Sequence, residues 1–359
     1  MSPCSSSFPF PLRPWRPPGP ARVWIGIVLL LISGIPRDAS AVLISTGDGT
    51  GNTTPPSADP GFDNVGVVNG LSGVYVRNGW VLTANHVGEH PILLLGTLYD
   101  PVPGSSVRIQ NPDASFADLL AFKIRGPKPP LPDLALASAA PSVGTLLTII
   151  GNGRNRGTAT SWMGLSGWNW GPGSTLRWGT NKISEIGQNT FATEAFHIVF
   201  DALPPGQAMG QHEADVVNGD SGGGAFIGSG PSAELVGILF ARATFTDQPP
   251  STSLAGTGGV GNVGIISDLF FYRNAIESLI DQPDCADGLD DDGDGLTDFP
   301  DDPGCTDALD PDERGAIFEC DNGIDDDGDG LTDFPDDDGC LHPTNPIEAP
   351  EPDATIMLE

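Results

Sequence analysis

Cysteine is absent from Ser5 to Asp284, so no thiol nucleophile, thiolate metal site or disulfide operates in the body of this chain. Cationic side chains are scarce: 16 Lys and Arg face 47 Asp and Glu, for a formal net charge of −31. Nucleic-acid binding wants a basic face, and this balance argues against it. Long apolar stretches are missing as well. The one run of note, Val23–Ile35, has 13 residues, short of the roughly 20 that span a bilayer as a helix. Sustained helical periodicity is rare, whereas Gly (48) and Pro (35) abound. That composition favours turns and short strands over long helices.

What charge there is lies unevenly. Residues 281–359 hold 28 of the 47 acidic residues and one basic residue, Arg314; residues 1–280 keep 19 acidic against 15 basic, a net of −4. An acidic module is attached to a near-neutral domain, and such a module suits a cation. At the other end, Arg13, Arg16 and Arg22 precede the apolar run, and Ala39-Ser40-Ala41 comes after it as a small-x-small cleavage site. This pattern predicts a signal peptide over 1–41, a mature chain beginning near Val42 with no membrane span, and export to the periplasm, cell surface or medium. Cys4 leaves with the signal. The other four cysteines, Cys285, Cys305, Cys320 and Cys340, all fall in the acidic tail. An even count in an exported module implies two disulfides.

Residues 42–64, rich in Gly, Thr, Pro and Asp, predict a flexible leader. Over 65–282, short apolar runs broken by Gly, Pro and Asn, such as Gly73–Val76, Trp80–Thr83, Leu119–Ile124, Thr145–Ile150 and Leu235–Phe240, predict an all-β barrel or sandwich. One helix is expected from Asp268 to Ile280, where Leu269, Tyr272, Ile276 and Leu279 recur at helical spacing. Over 283–341 the chain repeats itself with a period of 35 residues: Cys285–Cys305 and Cys320–Cys340 enclose nearly the same Asp-rich segment. Residues 342–359 have the composition of a disordered tail.

Three segments carry chemistry. Trp80-Val-Leu-Thr-Ala-Asn-His86 is a strand leading into a turn with a histidine. Asp118-Leu-Leu-Ala-Phe-Lys-Ile124 starts a strand with a carboxylate, and Asp133-Leu-Ala-Leu-Ala137 offers an alternative. Asn218-Gly-Asp-Ser-Gly-Gly-Gly-Ala225 is a glycine-rich turn around a serine. Together they resemble the W-V-L-T-A-A-H-C, D-I-A-L-L-K-L and G-D-S-G-G-P segments of the trypsin/chymotrypsin family of serine proteases, in that family's His, Asp, Ser order. The resemblance implies a double six-stranded β-barrel closed by a C-terminal helix. It implies a triad of His86, Asp118 and Ser221, with the N–H groups of Gly219 and Ser221 as the oxyanion hole. Asp118 is preferred to Asp133 because Pro132–Ile150 and then Gly151-Asn-Gly153 resemble the family's next segment. Asp215 stands where trypsins place the acid of the primary specificity pocket, which implies cleavage after Arg or Lys. Departures are specific. Val87 replaces a cysteine and Gly224 a proline. No I-V-G-G-like sequence is present to supply the amino terminus that pairs with the carboxylate equivalent to Asp220. Phe240-Ala-Arg242 stands in place of S-W-G, so that Arg242 could neutralise Asp215.

In the tail, Asp290, Asp292, Asp294, Asp298 and Asp301, with the Leu296 carbonyl, have the spacing of a calcium loop. Asp325, Asp327, Asp329, Asp333 and Asp336, with the Leu331 carbonyl, repeat it. These loops resemble dockerin and thrombospondin type 3 calcium loops. Each repeat is expected to bind one Ca²⁺ and close one disulfide, Cys285–Cys305 and Cys320–Cys340, while the barrel, with its own core, is expected to work independently of the tail. Pro350-Glu-Pro352 matches the opening of a bacterial PEP-type sorting signal without the apolar helix and Arg cluster that complete one. The function expected is a secreted serine endopeptidase acting on proteins or peptides. The alternative, from another class, is a non-catalytic adhesion or matrix protein on the same scaffold.

Overall fold

The structure, a computed structural model, describes residues 42–201, 212–315 and 318–349. The signal segment, Cys4 and the Pro350-Glu-Pro352 match lie outside the described residues. Two large sheets dominate, with strands in the places the alternating apolar runs predict. The first runs, edge to edge, Thr97–Tyr99, Ile92–Leu94, Val65–Val68, Leu71–Arg77, Trp80–Thr83, Phe116–Lys123 and Val107–Gln110. In the second, Gly224–Ile227, Leu146–Gly151, Arg177–Thr190, Thr193–Val199, Val263–Ser267 and Glu234–Ala243 pair in turn. Glu234–Ala243 then pairs back to Gly224–Ile227, closing a six-stranded barrel. Closure leaves that barrel with no open strand edge. Ala135–Leu136 adds a short parallel pairing to its outside. A ribbon of Arg154–Trp162 and Leu165–Ser174, joined by Thr252–Ala255, projects from it.

The fold is all-β with one α-helix, Leu269–Ile280, among the described residues. Asp268 caps that helix, accepting the N–H groups of Phe270 and Phe271. Leu269, Tyr272, Ile276 and Ile280 bury its inner face in a core that includes Val74, Trp80, Leu82, Leu235 and Ile238 from the two sheets. Each such large apolar side chain contributes about 1.5–3 kcal/mol on burial. No helix among the described residues is long and apolar enough to cross a membrane.

The leader is not loose throughout. Leu43–Ile44 forms a strand paired with Ala214–Asp215, and Val42, Leu43 and Ile44 are fully buried. Two arginines hold the segment Ile44–Gly51: Arg156 donates to the carbonyls of Ile44, Ser45 and Gly47, and Arg177 to those of Gly49 and Gly51. Composition concealed this because the partners lie more than a hundred residues away.

Candidate active site and acidic tail

His86 and Asp118 come from the first sheet, Ser221 from the turn that enters the second barrel. The strand Trp80–Thr83 pairs with Phe116–Lys123, so the turn after one lies beside the start of the other. Asp118 Oδ2 is 2.8 Å from His86 Nδ1, and its Oδ1 accepts the His86 backbone N–H at 2.9 Å. The carboxylate therefore fixes both the ring and its peptide, and it selects the tautomer that leaves Nε2 free to accept a proton. Asp133, the alternative, is exposed on the surface. The hydrogen bond and charge of Asp118 raise the His86 pKa, against the opposing effect of burial. For Asp118, burial alone would raise the carboxyl. The bond and charge of His86, with help from Arg108, hold it below its usual value. Thr193 on the second barrel accepts the Asp118 backbone N–H at 2.7 Å, tying the carboxylate across the seam.

The nucleophile turn is held by a residue that the motifs do not reveal. Ser72 donates its backbone N–H to Ser221 O at 2.9 Å and its hydroxyl to Gly219 O at 3.0 Å. The same hydroxyl accepts Asn152 N–H at 2.8 Å, and Thr83 Oγ1 donates to Ser72 O. Gly222, at φ +86°, passes so close that a Cβ there would collide with Ser72 O and Thr83 Oγ1. Gly219 is at φ +104° against Asn152 O. Both positions demand glycine. Neither Gly219 N–H nor Ser221 N–H donates to any acceptor among the described residues, and Ser221 Oγ makes no hydrogen bond to His86. Catalytic hydrogen bonds of this kind commonly close only around substrate.

Asp220 is fully buried. Its Oδ2 accepts Val217 N–H at 2.7 Å, its Oδ1 has no hydrogen-bond partner among the described residues, and burial pushes its carboxyl up to about 8 against the opposing effect of the Val217 and Gly153 N–H groups. Asp215 is also buried, and it is engaged. Arg242 bonds to Asp215 Oδ2 at 2.8 Å, to Thr252 O at 2.9 Å and to Asn262 Oδ1 at 2.6 Å, and it lies over the Trp170 ring.

Residues 62–252 match the family model for trypsin. The chain belongs to the trypsin family. Among solved structures it is similar to mouse neuropsin, a serine protease, at 18% identity and a TM-score of 0.41, covering 64% of this chain and 97% of that one. It is also similar to a mutant of human heparin binding protein, at 14% identity and a TM-score of 0.44, covering 65% and 96%. No curated protein matches. The family implies a protease, with proteins or peptides as substrates and no cofactor needed for the chemistry.

The tail of this trypsin-family chain forms the two disulfides Cys285–Cys305 and Cys320–Cys340. Its carboxylates sort differently from the loop spacing. Asp290, Asp292 and Asp294 bring oxygens within 4.8 Å of one another. Asp298 instead accepts the N–H groups of Asp287 and Gly288, and Asp333 those of Asn322 and Gly323, so these two serve as backbone caps. Asp301 and Asp336 are exposed, whereas their neighbours Asp302 and Asp337 are each 1% exposed with Oδ2 unpartnered. Glu313 folds back on the first loop, accepting the N–H of Asp291 at 2.7 Å and of Asp298 at 2.9 Å. Glu348 does the same for Asp326, Asp327 and Asp333 in the second. The second repeat thus continues past 341, where composition alone predicts a disordered tail. The signal for it was a second Pro-x-Glu, Pro346-Ile-Glu348, one period after Pro311-Asp-Glu313.

Nor does the tail stand apart from the barrel. Lys123, 1% exposed, donates to Asp284 Oδ1 at 2.9 Å, to Asp287 Oδ2 at 2.6 Å and to Asp291 Oδ2. Lys128 pairs with Asp284 and bonds Pro311 O, and Arg125 bonds the carbonyls of Asp292 and Gly293. The barrel and tail are thus joined through buried charge, and a buried lysine cannot release its carboxylates cheaply.

Proposed function

We propose that the chain is an exported serine endopeptidase acting through an acyl-enzyme on Ser221. His86 Nε2 takes the Ser221 hydroxyl proton as Oγ attacks the scissile carbonyl carbon. The oxyanion that forms is received by the unengaged N–H groups of Gly219 and Ser221. His86 then hands its proton to the leaving amine, and water repeats the sequence to free the acid. Asp118 orients the imidazole and stabilises its protonated form. The observation that carries this reading is the double hydrogen bond of Asp118 to the ring and backbone of His86, with Thr83, three residues before His86, bonded to the Ser72 that holds the nucleophile turn. Asp215 belongs to the substrate side, with Arg242 as its resident cation. Two disulfides and the predicted signal peptide support export.

In the tail, the hard oxygen donors suit Ca²⁺. Buried, unpartnered oxygens of Asp294 and Asp302 in the first repeat, and of Asp337 in the second, fit a cation. The residues that would hold it are Asp290, Asp292, Asp294 and Asp302, and then Asp325, Asp327, Asp329 and Asp337. Its contribution would be to neutralise these carboxylates; it takes no part in hydrolysis. A fluorophosphonate probe tests the central claim: it should label Ser221, with the adduct located by mass spectrometry, and spare Ser221→Ala. Absence of labelling in a folded chain would favour the adhesion reading.

A further inference from the structure

The run Asp290-Asp291-Asp292 directs its carboxylates two ways. Asp291 turns to the barrel and meets Lys123, whose ammonium also bonds Asp284 and Asp287 and lies 5.9 Å from the centre of the Trp80 ring. Asp290 and Asp292 turn instead to Asp294, with oxygens of all three within 4.8 Å. Asp302, close enough for its charge to act on Asp294 and for Asp290 and Asp292 to act on it, adds a fourth acid that is 1% exposed; its Oδ2 and that of Asp294 have no partner among the described residues. Four carboxylates gathered this way repel one another unless a cation sits among them, and repulsion there would open the loop and withdraw Asp291. Asp321 of the second repeat reaches Asp292, so the second repeat supplies a control for the Lys123 contact alone. It copies the ligand half in Asp325, Asp327, Asp329 and the buried Asp337, but Asp326, the counterpart of Asp291, is exposed and, among the described residues, its side chain takes only Asn322 Nδ2 at 2.7 Å.

We propose that the first repeat is a divalent-cation clamp: an ion on Asp290, Asp292, Asp294 and Asp302 locks Asp291, Asp284 and Asp287 onto Lys123 and so braces the strand that carries Asp118. The second repeat binds its ion without bracing the barrel. This rests on the calcium reading of the tail and adds to it a mechanical consequence confined to one repeat.

The two readings separate in one experiment on the whole chain. Residues 281–359 contain no tryptophan, so tryptophan fluorescence tracks barrel unfolding while calorimetry counts ions. The wild type should take up two Ca²⁺. At a hundredfold excess over Kd, calcium should raise the barrel midpoint by roughly 5–10 °C over chelator. Asp290→Asn/Asp292→Asn should lose one ion and that shift. Asp325→Asn/Asp327→Asn should lose one ion and keep the shift. Lys123→Met, if it folds, should bind both ions and show no shift. With two ions bound by the wild type, a shift kept in both repeat variants, or lost equally in both, would overturn the clamp and leave the calcium reading standing. No uptake by the wild type at millimolar calcium would overturn both.

Discussion

Asp118 and Lys123 stand near opposite ends of one strand, Phe116–Lys123, the first bonded to His86 and the second buried among Asp284, Asp287 and Asp291 of the tail. An odd separation along a strand sends the two side chains to opposite faces. The same short element therefore serves the catalytic seam on one side and the acidic module on the other. A displacement at either end is felt at the other only through a strand held on both flanks by Trp80–Thr83 and Val107–Gln110.

The His86–Asp118 pair predicts an acidic limb in the pH profile. Asp118 raises the His86 pKa, so the ring stays protonated to a higher pH than the ~6.5 of a free histidine. Catalysis needs the neutral base, so kcat/KM should fall on acidification through a midpoint above that value. Stability runs the other way: the pair's contribution is complete below the unfolded-state pKa and is lost as pH rises through the folded one. Asp118→Asn should cut kcat by roughly 10⁴ and shift the limb downward. A pH–rate profile of the variant with its midpoint unmoved would contradict the role given to Asp118.

Ser72 is a positioning residue. Its hydroxyl is the bridge between Gly219 O and the buried N–H of Asn152. Ser72→Ala leaves that N–H unsatisfied, at a cost of about 1–3 kcal/mol, and removes the hydroxyl that holds Gly219 O, on the backbone between the two N–H groups proposed as the oxyanion hole. The expected result is a fall in kcat larger than any rise in KM, with Ser72→Thr recovering part of it. Steady-state kinetics and urea unfolding on the same preparations check both halves. A purely structural serine would lower stability and leave kcat where it was.

Arg242 changes what the substrate side rewards. A free buried carboxylate at Asp215 would favour a cationic side chain, but Arg242 already occupies it at 2.8 Å. Cleavage by the native enzyme should therefore not occur after Arg or Lys. Arg242→Ala uncovers Asp215, and cleavage after Arg or Lys should appear or rise by tenfold or more, since a desolvated carboxylate discriminates strongly for charge. A peptide-library profile measures this. A native preference for Arg or Lys would show that Arg242 moves aside for substrate.

Much of this was legible in the sequence, for reasons that can be named. Strands such as Trp80–Thr83 and Phe116–Lys123 write their apolar runs locally, and the nucleophile turn needs glycine at Gly219 and Gly222 whatever surrounds it. The disulfides were implied by the repeat. What stayed hidden depends on distant partners. Nothing near Ser72 announces Asn152 or Gly219, and nothing in Val42–Ile44 announces Ala214–Asp215. Lys123 ends a strand whose pattern already looked explained, so its burial under the tail had no local mark. Within the loops, adjacent aspartates such as Asp301 and Asp302 are indistinguishable until the backbone decides which one turns inward.

That last pair gives the sharpest test of the tail. Loop spacing alone nominates Asp301, but Asp301 is exposed and Asp302 is buried with a free oxygen. Burial pushes the Asp302 carboxyl up to about 6 and that of Asp294 to about 7, with the neighbouring carboxylates adding to both. A cation removes that mutual repulsion, so ion binding should release protons and weaken as the pH falls through this range. Asp302→Asn deletes one anionic donor and should weaken the first site by roughly tenfold or more. Asp301→Asn deletes an equal charge one residue away and should leave both sites nearly as they were, which separates direct ligation from the diffuse attraction of an acidic surface. The second repeat should show the same contrast, Asp337→Asn against Asp336→Asn. Calorimetric titration of the four variants in two buffers of different ionisation enthalpy yields affinity and proton release together. Equal losses from Asp301→Asn and Asp302→Asn would mean that only overall charge matters and would remove Asp302 from the ligand set.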